Sequence, residues 1–444
     1  MFSKASKKCT MTVIVILFSV MVFSNQAGRS TALDYLKAFF EGRYEVVYEM
    51  QNERLRSALN VEKIEQTRQS ILNMFGGMQA VVSTESDDMN GLKRFVVLIE
   101  TGKGYLQATV SVDVEDKVAG IFFKQGQKPV KKEEEIKDMA YVEQEVQFGK
   151  EGWKLDGRLT IPEDEESYPL IIITGGSGPT DMDGTYGPNK PYRDIAHYLA
   201  ENGVGSLRYN KRSAQYPQKM LETEVSEKGY IWDEYLEDLY QAIEFVTEID
   251  GAGEIILAGH SLGGTIVPYV ANNTEEVDGI ILLAAAVRRL AQISIDQHIY
   301  LKEHLNITDE QLEQTVAFYN QVLNHEIPAD TELQKGFTVG YFYDLDHYNI
   351  MEELKKNDMP VLVIQGKTDF QSTMEGDYLP LKEAFSDQER FTFRAFDGVN
   401  HLLMPSPDEY MTEDAFHSTE EYAVENEVDE RVLNTLVDWV NTTF

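Results

Sequence analysis

The sequence has almost no cysteine. The single one, Cys9, lies near the start of a 444-residue chain, ahead of an apolar run at 11–23. A lipid-attachment cysteine would follow such a run. With one thiol the chain can form no internal disulfide and no thiolate metal site, so its core must hold it together. Positive charge is also scarce: 40 Lys and Arg stand against 75 Asp and Glu, for a net charge of −35. Such a surface repels nucleic acid and anionic membrane, which excludes both as partners. It reads as a solvated, soluble surface, with denser acidic runs at 163–166 and between Asp408 and Glu430. Long apolar runs are missing too. The stretch at 11–23 falls short of the roughly 20 apolar residues that a spanning helix needs. Lys4, Lys7 and Lys8 precede it and "SNQAGRS" follows, the layout of an export signal over residues 1–24, cleaved after Ser24 or Ala27. The alternative is an uncleaved N-terminal anchor, which would be the only membrane association. Losing the three lysines takes the net charge from −35 to −38.

What is present is apolar content of 42%, enough to fold, in a chain too long for one ordinary core. Two domains are expected. Residues 31–125 open with helical spacing (Leu33, Leu36, Phe39, Phe40, Val46, Val47, Met50). A second helix follows in "VEKIEQTRQSILNMFGG", stopped by its glycines. Three alternating stretches, "KRFVVLIE", "GYLQATVSVDV" and "KVAGIFFK", read as antiparallel strands. This is a small α+β domain with no histidine, no cysteine and no catalytic constellation. The charged stretch 126–140 reads as a linker.

Residues 141–444 have a different rhythm. Two alternating strands come first. Then short apolar runs at 170–176, 203–210, 254–261, 279–285, 360–366 and 390–396 are separated by helical segments. Strands alternating with helices imply a mostly parallel sheet covered on both faces. The gap at about 287–350 is too long for a simple crossover and reads as an inserted helical cap. Its aromatics, among them Tyr300, Phe318, Tyr319, Phe337, Tyr341, Phe342, Tyr343 and Tyr348, serve as the cap's core or line a substrate pocket.

Within this frame "EIILAGHSLGGTIVPYV" places Ser261 on a tight turn from a strand into a helix. Such a turn lifts a serine hydroxyl out of the sheet and needs small residues two positions away, met here by Gly259 and Gly263. The helix N-terminus brings backbone N–H groups beside it, making Leu262 N–H a natural oxyanion donor. A serine nucleophile needs a base. His260 is adjacent but points elsewhere on such a turn. His401, in a loop just after the run at 390–396, lies near the carboxyl end of the sheet, where ligands bind in open α/β folds. The other histidines (His197, His298, His304, His325, His347, His417) lie in helices, the cap or the acidic segment. They show no H-E-x-x-H spacing, so neither a metal nor any other cofactor is expected. Asp369, directly after the run at 360–366, is the carboxylate expected to orient His401. Asp377 and Asp397 are rivals, the first farther past its strand, the second a turn residue. The glycine-rich "GGSGPTDMDG" after the run at 170–176 would offer the second oxyanion N–H, from Ser177 or Gly176. That loop carries neither G-K-[ST] nor G-x-G-x-x-G, so it does not read as a phosphate cradle. Asp181, Asp183 and the cations of "RYNKR" (208–212) either pair to brace the loop or are plain surface charge.

The segments "GGSGPTDMDG", "LRYNKR", "GHSLGG", "QGKTDFQ" and "NHLL", in that order, resemble the α/β-hydrolase superfamily. They are most similar to bacterial esterases of the serine-aminopeptidase-like or acyl-peptidase-like kind. The chain departs at Met182, where an arginine is expected. Residues 31–125 resemble a small domain of unknown function found ahead of such hydrolases. The resemblance implies a serine hydrolase acting through an acyl-enzyme: Ser261 attacks, His401 moves the proton, Asp369 orients His401, and Leu262 with the glycine loop holds the oxyanion. Small acyl esters are the implied substrates. Amides, peptides and thioesters are the alternative for the same machinery. A non-catalytic exported binding protein is the alternative from another class. The expectation is therefore a secreted bacterial esterase. Substrate identity and oligomeric state are not written in the sequence.

Overall fold

The computed structural model describes residues 18–89, 92–126, 141–163, 165–303, 307–334, 337–406 and 420–444. The first part of the export-signal stretch, most of the 126–140 linker and part of the acidic run beyond Asp408 lie outside the described residues. The chain divides into two compact units, one of Val20–Asp138 and one of Met139–Phe444.

The first unit is four helices and a four-stranded antiparallel sheet. The helices are α1 (Phe18–Glu41), α2 (Tyr44–Met50), α3 (Glu53–Ala58) and α4 (Val61–Phe75), and the strands β1 (Met78–Met89), β2 (Leu92–Thr101), β3 (Gly104–Val112) and β4 (Val118–Gln125), in spatial order β1-β2-β3-β4. The long N-terminal helical stretch is two helices, because Gly42 turns the chain at φ 77°. Asn60 caps α4 by accepting from Lys63 N at 3.0 Å, and Gly76 ends it at φ 82°. Strand β1 was not among the strands read from the pattern; its last residues, "STESDDM", carry acids where an apolar alternation would show. Tyr35, Leu36 and Phe39 of α1 and Ile64 and Ile71 of α4 cluster with Phe95, Val97, Ile99, Leu106, Ala108 and Val110. Burial alternates along β3, as in a sheet with one covered face. Both candidate cleavage positions, Ser24 and Ala27, fall within α1. None of the helices among the described residues is long and apolar enough to cross a membrane.

The second unit is an eight-stranded sheet. It begins with β5 (Tyr141–Phe148) and β6 (Leu155–Pro162), then β7 (Tyr168–Thr174), α5 (Pro191–Glu201), β8 (Gly205–Tyr209), α6 (Arg212–Gln215) and α7 (Pro217–Glu222). A short π-helical turn, Trp232–Leu236, runs into α8 (Glu237–Thr247), followed by β9 (Ala252–His260), α9 (Leu262–Asn272) and β10 (Gly279–Leu283). The cap segment holds α10 (Leu290–Tyr300), α11 (Asp309–Leu323), the small hairpin β11 (Glu332–Gln334) and β12 (Phe337–Thr338), α12 (Gly340–Leu345) and α13 (Ile350–Glu353). The sheet then resumes with β13 (Val361–Gly366), α14 (Leu379–Phe385), β14 (Phe391–Phe396) and α15 (Glu430–Thr443). Spatial order is β14-β13-β10-β9-β7-β8-β6-β5. The pairs from β8 through β14 are parallel, while β5 and β6 form an antiparallel edge.

This topology follows from the apolar runs. Every residue of β8, β10 and β13 is buried, as helices on both faces require, so these strands read as unbroken apolar stretches rather than alternations. Helix α15 supplies one cover: Val432, Leu436 and Val440, spaced by four, join the sheet's core. Helix α11 starts in a capping box between Thr308 and Gln311. In the cap, Tyr319, Phe342 and Phe337 pack on one another with ring centroids about 6 Å apart. The residues lining the cleft beside Ser261 include none of the aromatics at 287–350; Tyr319, Phe337 and Phe342 build the cap, while Tyr300 stacks on Phe370 after β13 and Tyr348 packs edge-on against Tyr269 of α9.

Candidate active site

The carboxyl ends of the parallel strands place the candidate residues. Ser261 links β9 to α9 with φ 54° and ψ −120°, a conformation that costs a non-glycine residue about 1–3 kcal/mol. The surroundings hold it there. Ser261 N donates to Leu283 O at 2.9 Å, and Ser261 O accepts from Gly264 N and Ala286 N, both at 3.0 Å. The turn is so tight that a Cβ on Gly259 would sit 2.4 Å from the Gly263 carbonyl oxygen, closer than any side chain tolerates. A Cβ on Gly176 would meet the Ser261 Cβ at 2.9 Å, so the glycine loop after β7 lies directly against the serine.

Asp369 follows β13 and His401 follows β14, and these strands are neighbours. His401 Nδ1 donates to Asp369 Oδ2 at 2.7 Å, with both residues buried. Asp369 Oδ1 accepts from Gln371 N and Ser372 N, and Oδ2 from Gln365 Nε2. A carboxylate so held is an acceptor only, which puts the His401 proton on Nδ1 and leaves Nε2 as a base. Asn400 shapes the histidine loop: its Oδ1 accepts from Leu402 N and Met404 N, and its Nδ2 donates to Glu421. Burial raises the Glu421 carboxyl above its ordinary range.

His260 is committed elsewhere. Tyr192 Oη and His260 Nδ1 are 2.9 Å apart, and His260 Nε2 lies 2.8 Å from the His401 carbonyl oxygen. Burial, and then the nearby His401, push its pKa down to about 3, so it is neutral and donates from Nε2. It ties the elbow to the His401 loop; the two rings sit 4.7 Å apart. The rival carboxylates are also occupied. Asp377 accepts from Val287 N, Thr373 N and the Arg288 guanidinium, and Asp397 pairs with Lys367 at the surface.

The glycine loop is braced in part by a pair that the charges suggest, Arg208 with Asp183. Arg208, buried, reaches Asp183 at 3.1 Å and Glu143 at 2.7 Å. Asp181 instead closes a turn, accepting from Asp183 N and Thr185 N. Lys211 grips the loop itself, donating to Gly176 O at 2.9 Å and Gly178 O at 2.8 Å. Tyr235 Oη also donates to Gly176 O, at 2.6 Å. Gly176 is thus held by its carbonyl, and Ser177 lines the cleft. That cleft, about 360 Å³ with the solvent at its mouth, is lined by Ser177, Ser261 and Leu262, by Ala286, Leu290 and Ile293, and by the polar Gln297, Gln371 and Ser372. Sequence reasoning missed Lys211, Tyr235 and Asn400 as individuals. Among the described residues, no cluster of His, Cys, Asp or Glu is arranged to hold a metal ion.

A parallel sheet with a serine on its elbow opening into a cleft and a buried histidine–carboxylate pair beyond it defines an α/β hydrolase. The comparisons agree. The family model described as serine aminopeptidase, S33, matches residues 188–408. Esterase EstD of Thermotoga maritima is 30% identical over 445 residues, covering 97% of this chain and 99% of its own length. The chain belongs to this family and is an α/β hydrolase of the esterase type. Among solved structures, Est1E from Butyrivibrio proteoclasticus matches with 16% identity and a TM-score of 0.42, over 67% of this chain and 98% of that one. The Pyrococcus furiosus esterase Pf2001 matches with 14% identity and a TM-score of 0.40, over 60% and 85%.

Proposed function

We propose that this protein hydrolyses carboxylic esters of small acyl groups through an acyl-enzyme on Ser261. The observation that carries the reading is the strained elbow at Ser261, whose neighbour His260 hydrogen-bonds the backbone carbonyl of His401, itself paired with Asp369. Ser261 Oγ attacks the ester carbonyl carbon while His401 Nε2 takes its proton. The carbonyl π pair moves onto oxygen, which the Leu262 N–H at the start of α9 and the Ser177 N–H hold. Collapse of the tetrahedral species expels the alkoxide, which takes the His401 proton and leaves as the alcohol. Water then repeats the cycle on the acyl-enzyme, with His401 again as base. Asp369 fixes the His401 tautomer and stabilises the imidazolium.

A short acyl chain suits the narrow cleft walled by Ala286, Leu290 and Ile293. Leu290 and Ile293 both belong to α10, which makes the cap the source of acyl selectivity. A panel of aryl esters of increasing acyl length, run beside aminoacyl amides, tests the substrate class. Turnover highest for short acyl esters supports it, and turnover of the amides alone refutes it. A fluorophosphonate probe tests the nucleophile: it should label the protein at Ser261 and leave Ser261→Ala unlabelled. We read residues 1–24 as an export signal, supported by the lysines and apolar run of that stretch. An N-terminus of the mature protein found at Met1 or Phe2 would refute cleavage.

A further inference from the structure

The glycine loop beside Ser261 is held by a buried ammonium with every donor used. Lys211 is 2% exposed. Its Nζ reaches Gly176 O, Gly178 O and, at 2.9 Å, Glu234 Oε1, three acceptors for three N–H bonds. It also lies 3.8 Å from the centre of the Tyr235 ring, at cation–π distance, and the Tyr235 hydroxyl shares the Gly176 carbonyl at 2.6 Å. Glu234 is held in turn by Ser213 Oγ at 3.1 Å and by the hydroxyl of Tyr341, a cap residue, at 2.8 Å. Burying an ion pair in this way gains little stability over an apolar replacement. The arrangement therefore calls for a reason other than stability.

The peptide group supplies one. The carbonyl of Gly176 and the N–H of Ser177 belong to the same planar unit, and in a trans peptide they point in opposite directions. No peptide bond described is cis. We propose that Lys211 and Tyr235 are positioning residues for ester hydrolysis: by holding the Gly176 carbonyl on the side away from the cleft, they aim the Ser177 N–H at the oxyanion formed on Ser261. Two donors on the carbonyl, one of them charged, also polarise the peptide and strengthen its N–H as a donor. Glu234 and Tyr341 fix the ammonium, so the cap contributes to the same orientation. The inference rests on the acyl-enzyme reading above.

The test uses Tyr235→Phe and the double variant Lys211→Met/Glu234→Gln, which removes the ammonium without leaving a buried carboxylate unpaired. Losing an oxyanion donor outright costs about 10²–10³-fold in kcat. Loss of its orientation should cost about 10-fold in Tyr235→Phe and about 100-fold in the double variant, with KM within about threefold. Affinity for an alkyl trifluoromethyl ketone, whose adduct with a serine carries the oxyanion, should fall by the same factors. A purely structural role would lower the melting temperature and leave this parallel absent. Retention of kcat within about twofold in folded variants, or a fall in kcat that ketone affinity does not follow, would overturn the proposal. If the double variant does not fold, Tyr235→Phe decides, since it removes one oxygen. Fluorophosphonate labelling of the unmodified protein separates the two ideas. Without labelling at Ser261 the acyl-enzyme reading and this inference both fall. With labelling, and variants unchanged, only the inference falls.

Discussion

The two sheets of this protein are built from similar residues and differ in what their strand ends can do. In the first unit four antiparallel strands turn back on each other through short connections, and one face is covered by helices. Its β2–β3 hairpin is closed at Gly104, φ 126°, and its 31–125 stretch contains neither histidine nor cysteine. In the second unit strands β8, β7, β9, β10, β13 and β14 run parallel, so their carboxyl ends all open on one edge. Ser177, Ser261, Asp369 and His401 come from four different strand ends along it. A parallel sheet gathers distant sequence positions at one edge, whereas an antiparallel meander splits neighbouring loops between opposite edges.

That comparison is broken most sharply at the elbow. Ser261→Ala and His401→Ala should each lower kcat for an aryl ester by about 10⁶-fold, and Asp369→Asn by about 10⁴-fold, measured by steady-state kinetics. Losses of tenfold or less at any of the three would mean that the parallel edge is not where the chemistry occurs. Gly259→Ala comes next. Its Cβ would lie 2.4 Å from the Gly263 carbonyl oxygen, so the variant should lose soluble expression or at least about 100-fold in kcat through displacement of Ser261; a fully active, folded variant contradicts the packing described here.

His260 gives a subtler test within the second unit. Its pKa is depressed from 6.5 to about 3. The unfolded chain therefore binds a proton at this position that the folded chain refuses, across that interval. Its contribution to stability is fully present above pH 6.5 and is lost as pH falls from there towards about 3. The melting temperature of His260→Gln should thus fall less between pH 7 and pH 4 than that of the unmodified protein. Equal falls would show that His260 is not held neutral. The smallest kinetic effect belongs to the first unit. Ile99→Ala empties a fully buried site and should destabilise that unit by about 2–5 kcal/mol, seen as an earlier calorimetric transition. Its kcat should stay within about twofold of the unmodified value. A large loss of kcat at a temperature where the unit is folded would give the first sheet a catalytic role.

The fold was legible because fully buried parallel strands cannot alternate. The runs at 170–176, 254–261 and 279–285 stand out as unbroken apolar blocks, with helices between them long enough for crossovers. Strand β1 was hidden because "STESDDM" places acids along it, and the first helix looked continuous because Gly42 is a single residue. In the site, glycines mark the elbow and the loop after β7 in any reading, and Asp369 and His401 stand directly after apolar runs. Lys211, Tyr235 and Asn400 carry no such mark. A lysine in "RYNKR" reads as surface charge, and nothing local shows that it will be buried under a loop more than 30 residues earlier in the chain. That Ser177 rather than Gly176 lines the cleft depends on Lys211 and Tyr235 holding the Gly176 carbonyl, contacts visible only once the chain is folded.

In the proposed reaction the acyl group passes through Ser261. Rapid acid quenching during turnover of a short-chain aryl ester, followed by peptide mass spectrometry, reads this directly. One acyl group per chain is expected, carried on the peptide containing Ser261 and absent from Ser261→Ala. Turnover with no acylated peptide, or an acyl group on another residue, would contradict it.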